Sequence, residues 1–121
     1  MRPHQCAPPL QWPMLILFDQ SIPAPLRSHL PGHRVVEVRE RGWDRLGNGE
    51  LLDEAEAAGF DLFVTADKNL RYQQNLAVRK IAIVVIGNAQ WRILRLHVER
   101  VVAALDAATP GNFAEVEIPY G

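Results

Sequence analysis

Short apolar runs alternating with amphipathic stretches predict an α/β protein built on a mainly parallel central sheet. Continuous apolar runs of strand length lie at residues 14–18 and 81–86, with a third candidate at 61–65. Stretches with helical spacing separate them, above all the one in which Trp91, Leu94, Val98, Val101 and Leu105 recur at steps of three and four. The chain of 121 residues is 48% apolar and 22% charged, enough for the core of one domain and too apolar for a disordered chain.

The elements follow in order. Residues 1–13 carry Pro3, Pro8, Pro9 and Pro13 and read as a loose extension or a mis-assigned start, so the domain is expected at 14–118. The run 14–18 is apolar throughout because a central parallel strand is covered on both faces, and it stops at Asp19. Ser21 is a candidate N-cap for a short helix, with Pro23 and Pro25 in its first turn and Ile22, Leu26 and Leu30 spaced by four. A second strand is predicted at 34–38.

Residues 42–49 read as a glycine-rich loop that invites positive φ. Asn48 is predicted to cap a helix whose inner face is Leu51, Leu52, Ala55 and Ala58, with Gly59 as its left-handed terminator. The third strand at 61–65 leads into a polar stretch, 66–77, read as a helical turn or more starting near Asp67. After the fourth strand, 81–86, Asn88 is predicted to cap the longest helix, which Pro110 and Gly111 close. Residues 113–118 alternate apolar and polar, as an edge strand with one wet face does.

Composition excludes several function classes. Cys6 is alone and cannot form an internal disulfide, which fits a reducing cytoplasm. The longest apolar runs are far shorter than the ~20 residues a membrane helix needs, and no membrane association is expected. A net charge of −1 argues against coating nucleic acid through global charge. The charge is segregated, however: residues 35–65 hold eight acids against three arginines, and residues 66–100 hold seven bases against two acids. That division suits either one positive face or ordinary solvated helix surfaces. His29, His33 and His97 lack ligand spacing, and no Ser/His/Asp order or glycine-rich phosphate loop is present.

Ligands of an open parallel sheet sit beyond the carboxyl ends of its strands. Asp19, Asn48 and Thr65 through Asn69 belong at that rim. Carboxylates gathered there call for a hard divalent cation such as Mg²⁺, which takes oxygen ligands and substrate phosphate. An Asp after a strand is equally at home as a turn former.

The apolar strand ending in Asp19, the stretch 42–52 with Trp43 and Asn48, and the strand running into Thr65, Ala66 and Asp67 together resemble a PIN-like domain over residues 14–106. More narrowly, they resemble small bacterial PIN-like proteins, some of which are toxins of toxin-antitoxin pairs. The resemblance implies a three-layer α/β/α sandwich and endoribonuclease activity on single-stranded RNA, dependent on Mg²⁺ or Mn²⁺. It carries the family's first acid onto Asp19 and its Thr-x-Asp acid onto Asp67. It also implies an antitoxin protein as partner, and family members commonly pair as homodimers, for which 113–118 is an available edge.

Two positions depart from the pattern: Asn48 and Asn69 stand where the family usually has Asp. Each keeps a carbonyl oxygen and loses a charge. Glu50, one turn into the helix, is the best-placed replacement carboxylate, although an acid there also suits the helix dipole. Thr65 is a candidate for orienting a carboxylate or water, or simply a β-branched strand end. Lys68 and Arg71 are candidates for RNA phosphates, or solvated loop charges. Trp43 and Tyr72 are candidates for base stacking or for packing over the sheet. A non-catalytic PIN-like module binding RNA or a small protein is the alternative reading.

Overall fold

The computed structural model describes residues 13–70 and 79–119. Five strands form one sheet: β1 (Leu15–Phe18), β2 (Arg34–Glu37), β3 (Leu62–Thr65), β4 (Ala82–Ile86) and β5 (Phe113–Val116). Their order is β2-β1-β3-β4-β5, and every pairing is parallel. Among the described residues, three α-helices, α1 (Asn48–Ala57), α2 (Trp91–Leu94) and α3 (Val98–Asp106), and three 3₁₀ turns lie between the strands. The result is an α/β architecture compatible with three layers.

The period-2 alternation of a strand divides the core in two. Ile16, Phe18, Leu62, Val64, Val84 and Ile86 face one side, where they meet Leu26, Leu94, Val101 and Leu105. Leu17, Phe63, Ile83 and Val85 face the other, against Leu51, Leu52 and Ala55 of α1. Strands buried on both faces have no polar alternation to show, which is why β1, β3 and β4 read as continuous apolar runs.

Three local expectations are corrected. Ser21 caps no α-helix: a 3₁₀ turn over Ala24–His29 begins after Pro23. Gly47 occupies the N-cap of α1, so Asn48 is the first helical residue rather than its cap. The stretch after β4 is not one helix. Asn88 Oδ1 accepts a hydrogen bond from Gln90 N–H (2.9 Å), a local turn that delays the helix to Trp91. A 3₁₀ turn at Arg95–His97 then separates α2 from α3, with His97 outside helical geometry at φ −128° and ψ 24°. The apolar stripe survives, because Leu94, Val101 and Leu105 remain fully buried.

Other features match the reading. Gly59 adopts φ 85° just past α1 and lets Phe60 N–H return to Ala55 O (3.0 Å). On the edge strand and just beyond it, Val116 and Ile118 are buried while Glu115 and Glu117 are exposed. Of the polar stretch at 66–77, only 66–70 falls within the described residues, where a turn links Leu70 N–H to Asp67 O. Residues 1–12 lie outside the described residues.

One anchor is invisible to local pattern. Glu56 Oε2 accepts the N–H groups of Lys80 (2.6 Å) and Ile81 (3.1 Å), and Arg79 reaches both Asp53 (2.6 Å) and Glu56 (3.4 Å). These bonds fasten α1 to the chain entering β4. Burial alone raises the Glu56 pKa, but the two backbone N–H groups and the Arg79 guanidinium outweigh it and hold the carboxyl below its ordinary value.

Candidate active site at the carboxyl edge of the sheet

Phe18 of β1 lies in register with Val64 of β3. The next residues, Asp19 and Thr65, therefore emerge side by side at the carboxyl edge, where Asp19 N–H still bonds to Val64 O (2.9 Å). Both strands continue the alternation of Leu17 and Phe63, so both side chains belong to the face covered by α1.

Thr65, only 1% exposed, is the bridge. Its hydroxyl donates to Asp19 Oδ2 (2.8 Å) and accepts from Asp67 N–H (3.1 Å). Two aspartates distant in sequence are thus joined through one oxygen atom. Asp67 Oδ1 accepts from Asn69 N–H (2.9 Å), which shapes the turn, and Asp67 Oδ2 accepts from Asn48 Nδ2 (3.2 Å). Asn48 thus directs its amide N–H across the sheet edge to this carboxylate.

Ser21 is the participant that sequence reading missed. Its hydroxyl donates to Asp19 Oδ2 (3.0 Å) and accepts from Ala66 N–H (3.1 Å). The available signal was a short hydroxyl two residues after the strand-end Asp, a spacing at which the side chain can reach back.

Four of the predicted site residues, Asp19, Asn48, Thr65 and Asp67, are therefore brought together. Glu50 is exposed in the first turn of α1 and enters none of these hydrogen bonds. Lys68 is exposed and lines a groove of about 380 Å³ with Gly87 and Glu117, along the edge toward β4 and β5. Arg71 and Tyr72 fall outside the described residues. Trp43 packs edge-on against Phe60 (5.9 Å between ring centres) beneath the Arg41 guanidinium. Half-buried against the α1-side core, it takes the packing role. His33 is held internally, its Nδ1 accepting from Met14 N–H (2.9 Å).

Chemically, the gathered groups are two carboxylates, two hydroxyls and an amide, and the carboxylates are the anionic oxygens that a cation would take. Among the described residues no three His, Cys, Asp or Glu side chains group as a metal-binding cluster. The donor set fits a hard ion such as Mg²⁺ or Mn²⁺, which is held by one or two carboxylates and keeps several waters, better than an ion needing nitrogen or sulfur. Comparison with protein-family models, curated proteins and solved structures gave no match. No helix among the described residues is long and apolar enough to cross a membrane.

Proposed function

We propose that this chain is a PIN-like endoribonuclease that hydrolyses phosphodiesters of single-stranded RNA. The observation that carries the reading is the hydroxyl bridge joining Asp19 and Asp67 through Thr65 at the edge where parallel sheets bind ligands. Asp19 and Asp67 would hold Mg²⁺ or Mn²⁺, which when bound supplies an activated water and stabilises the leaving oxygen.

The chain's own groups do the rest. Thr65 and Ser21 fix the Asp19 carboxylate, and Asn48 fixes that of Asp67. Lys68, exposed beside Asp67, places a positive charge where an RNA phosphate would approach. A role as the toxin of a toxin-antitoxin pair, with an antitoxin as partner and a homodimer as the working form, belongs to the same proposal.

A panel of single-stranded RNAs incubated with the protein and millimolar Mn²⁺ tests it. Cleavage that disappears in Asp19→Asn and in Asp67→Asn supports the reading; no cleavage of any RNA overturns it.

A second reading draws on Asn48 and Asn69. Both oxygens of Asp67 already accept protein donors, and the rim has two carboxylates where the family pattern has more. A module of the same fold that binds RNA or a small protein without cleaving it fits those substitutions. RNA retention without divalent-ion binding in calorimetry selects this reading over the first.

A further inference from the structure

Two matched relays converge on a single atom. The consecutive amides of Ala66 and Asp67 donate to the hydroxyls of Ser21 and Thr65 respectively, and both hydroxyls donate to Asp19 Oδ2. A hydroxyl has one proton. Because each oxygen already accepts a backbone N–H, the hydrogen bonding directs each proton to the carboxylate.

Asp19 Oδ2 is thereby occupied, while Oδ1 accepts no hydrogen bond among the described residues. Asp67 has one protein donor on each oxygen and so keeps a lone pair on both; it is Asp19, with two donors on Oδ2, that is left with one oxygen rather than two for an ion. That distinction separates hard cations. Ca²⁺ takes six to eight oxygens and often a bidentate carboxylate, whereas Mg²⁺ and Mn²⁺ accept single oxygens and retain water.

We infer that Ser21 is a positioning residue: together with Thr65 it turns Asp19 so that Oδ1 alone faces a bound cation, which makes the site prefer a small octahedral ion to Ca²⁺. This rests on the metal-binding reading of the site proposed above. Ser21 is exposed and does not belong to either core, so removing its hydroxyl leaves the fold intact.

Calorimetric titration of the full-length protein with MnCl₂ and with CaCl₂ tests it, on the wild type, Ser21→Ala and Ser21→Thr, each checked for an unchanged thermal midpoint. The wild type is expected to bind Mn²⁺ at least ~10-fold more tightly than Ca²⁺. Ser21→Ala, which loses a hydrogen bond to a charged group, is expected to lose about 10-fold in Mn²⁺ affinity and to narrow the Mn²⁺/Ca²⁺ ratio. Ser21→Thr, keeping the hydroxyl, is expected to restore both. A merely structural role would move the midpoint and leave the ratio alone. Unchanged affinity and ratio in Ser21→Ala overturn the role of Ser21 while the metal site stands. A wild type that binds neither ion overturns the metal site and this inference with it.

Discussion

Replacing Thr65 by Val probes the bridge with little change of shape. Valine keeps one methyl and puts a second where the hydroxyl was, at a position only 1% exposed, so no cavity opens. Two bonds are lost: the donation to the Asp19 carboxylate at 2.8 Å and the acceptance from Asp67 N–H at 3.1 Å. A hydrogen bond to a charged group is worth about 1.5–3 kcal/mol, and leaving a partly buried N–H unpaired costs about 1–3 kcal/mol. Ser21 still donates to Asp19 Oδ2, which limits the first loss. The expected destabilisation is therefore about 2–3 kcal/mol, a large share of the 5–15 kcal/mol typical of domains.

Urea denaturation reads it as a midpoint lowered by about 1–2 M at an m-value near 1.5 kcal/mol/M, with m itself unchanged. A double-mutant cycle with Asp19→Ala then isolates the pair, and coupling of at least about 0.5 kcal/mol is expected for residues in contact. A loss below about 0.5 kcal/mol, or strictly additive effects in the cycle, would refute the bridge as the element joining the two aspartates.

Further outcomes follow from other places in the fold. Glu56, whose pKa is lowered on folding from the ordinary 4.5, contributes stability that is fully present above that value. The contribution is lost as the pH falls through the lower, folded-state value, because the unfolded chain binds the proton first. Thermal midpoints measured from pH 7 down to 3 should fall less steeply for Glu56→Gln than for the wild type, and identical slopes would discount the anchor. A Cβ on Gly87 would stand 3.0 Å from Val116 O and 3.4 Å from Ile118 N, both backbone atoms. Gly87→Ala should therefore cost about 1–3 kcal/mol by forcing β4 from β5; an undiminished thermal midpoint would show that this contact yields.

Legibility tracked the range of the forces involved. Strands β1, β3 and β4 could be read because burial on both faces leaves an unbroken apolar run in the sequence itself. The carboxyl-edge positions of Asp19 and Thr65 followed from where those runs stop. Ser21 and Asn48 were read as helix caps because a cap is a local rule, satisfied within three residues. Ser21 instead reaches back two residues to Asp19 and accepts from Ala66 N–H, and Asn48 donates to Asp67; Ala66 and Asp67 are partners that only folding brings near. Asp67 lies 19 positions along the chain from Asn48. Asn88 shows the same competition on a smaller scale, bonding two residues ahead and postponing the helix it was expected to start.

The order of apolar and polar residues by itself determined an α/β chain with parallel strands and placed two aspartates at strand ends. Only the tertiary structure decided that the 46 positions between Asp19 and Thr65 close to one hydrogen bond, and that Glu56 and Arg79 tie α1 to β4. Apolar periodicity is set by burial and written along the chain, whereas the partner of a polar side chain depends on which strands end up adjacent and in what register.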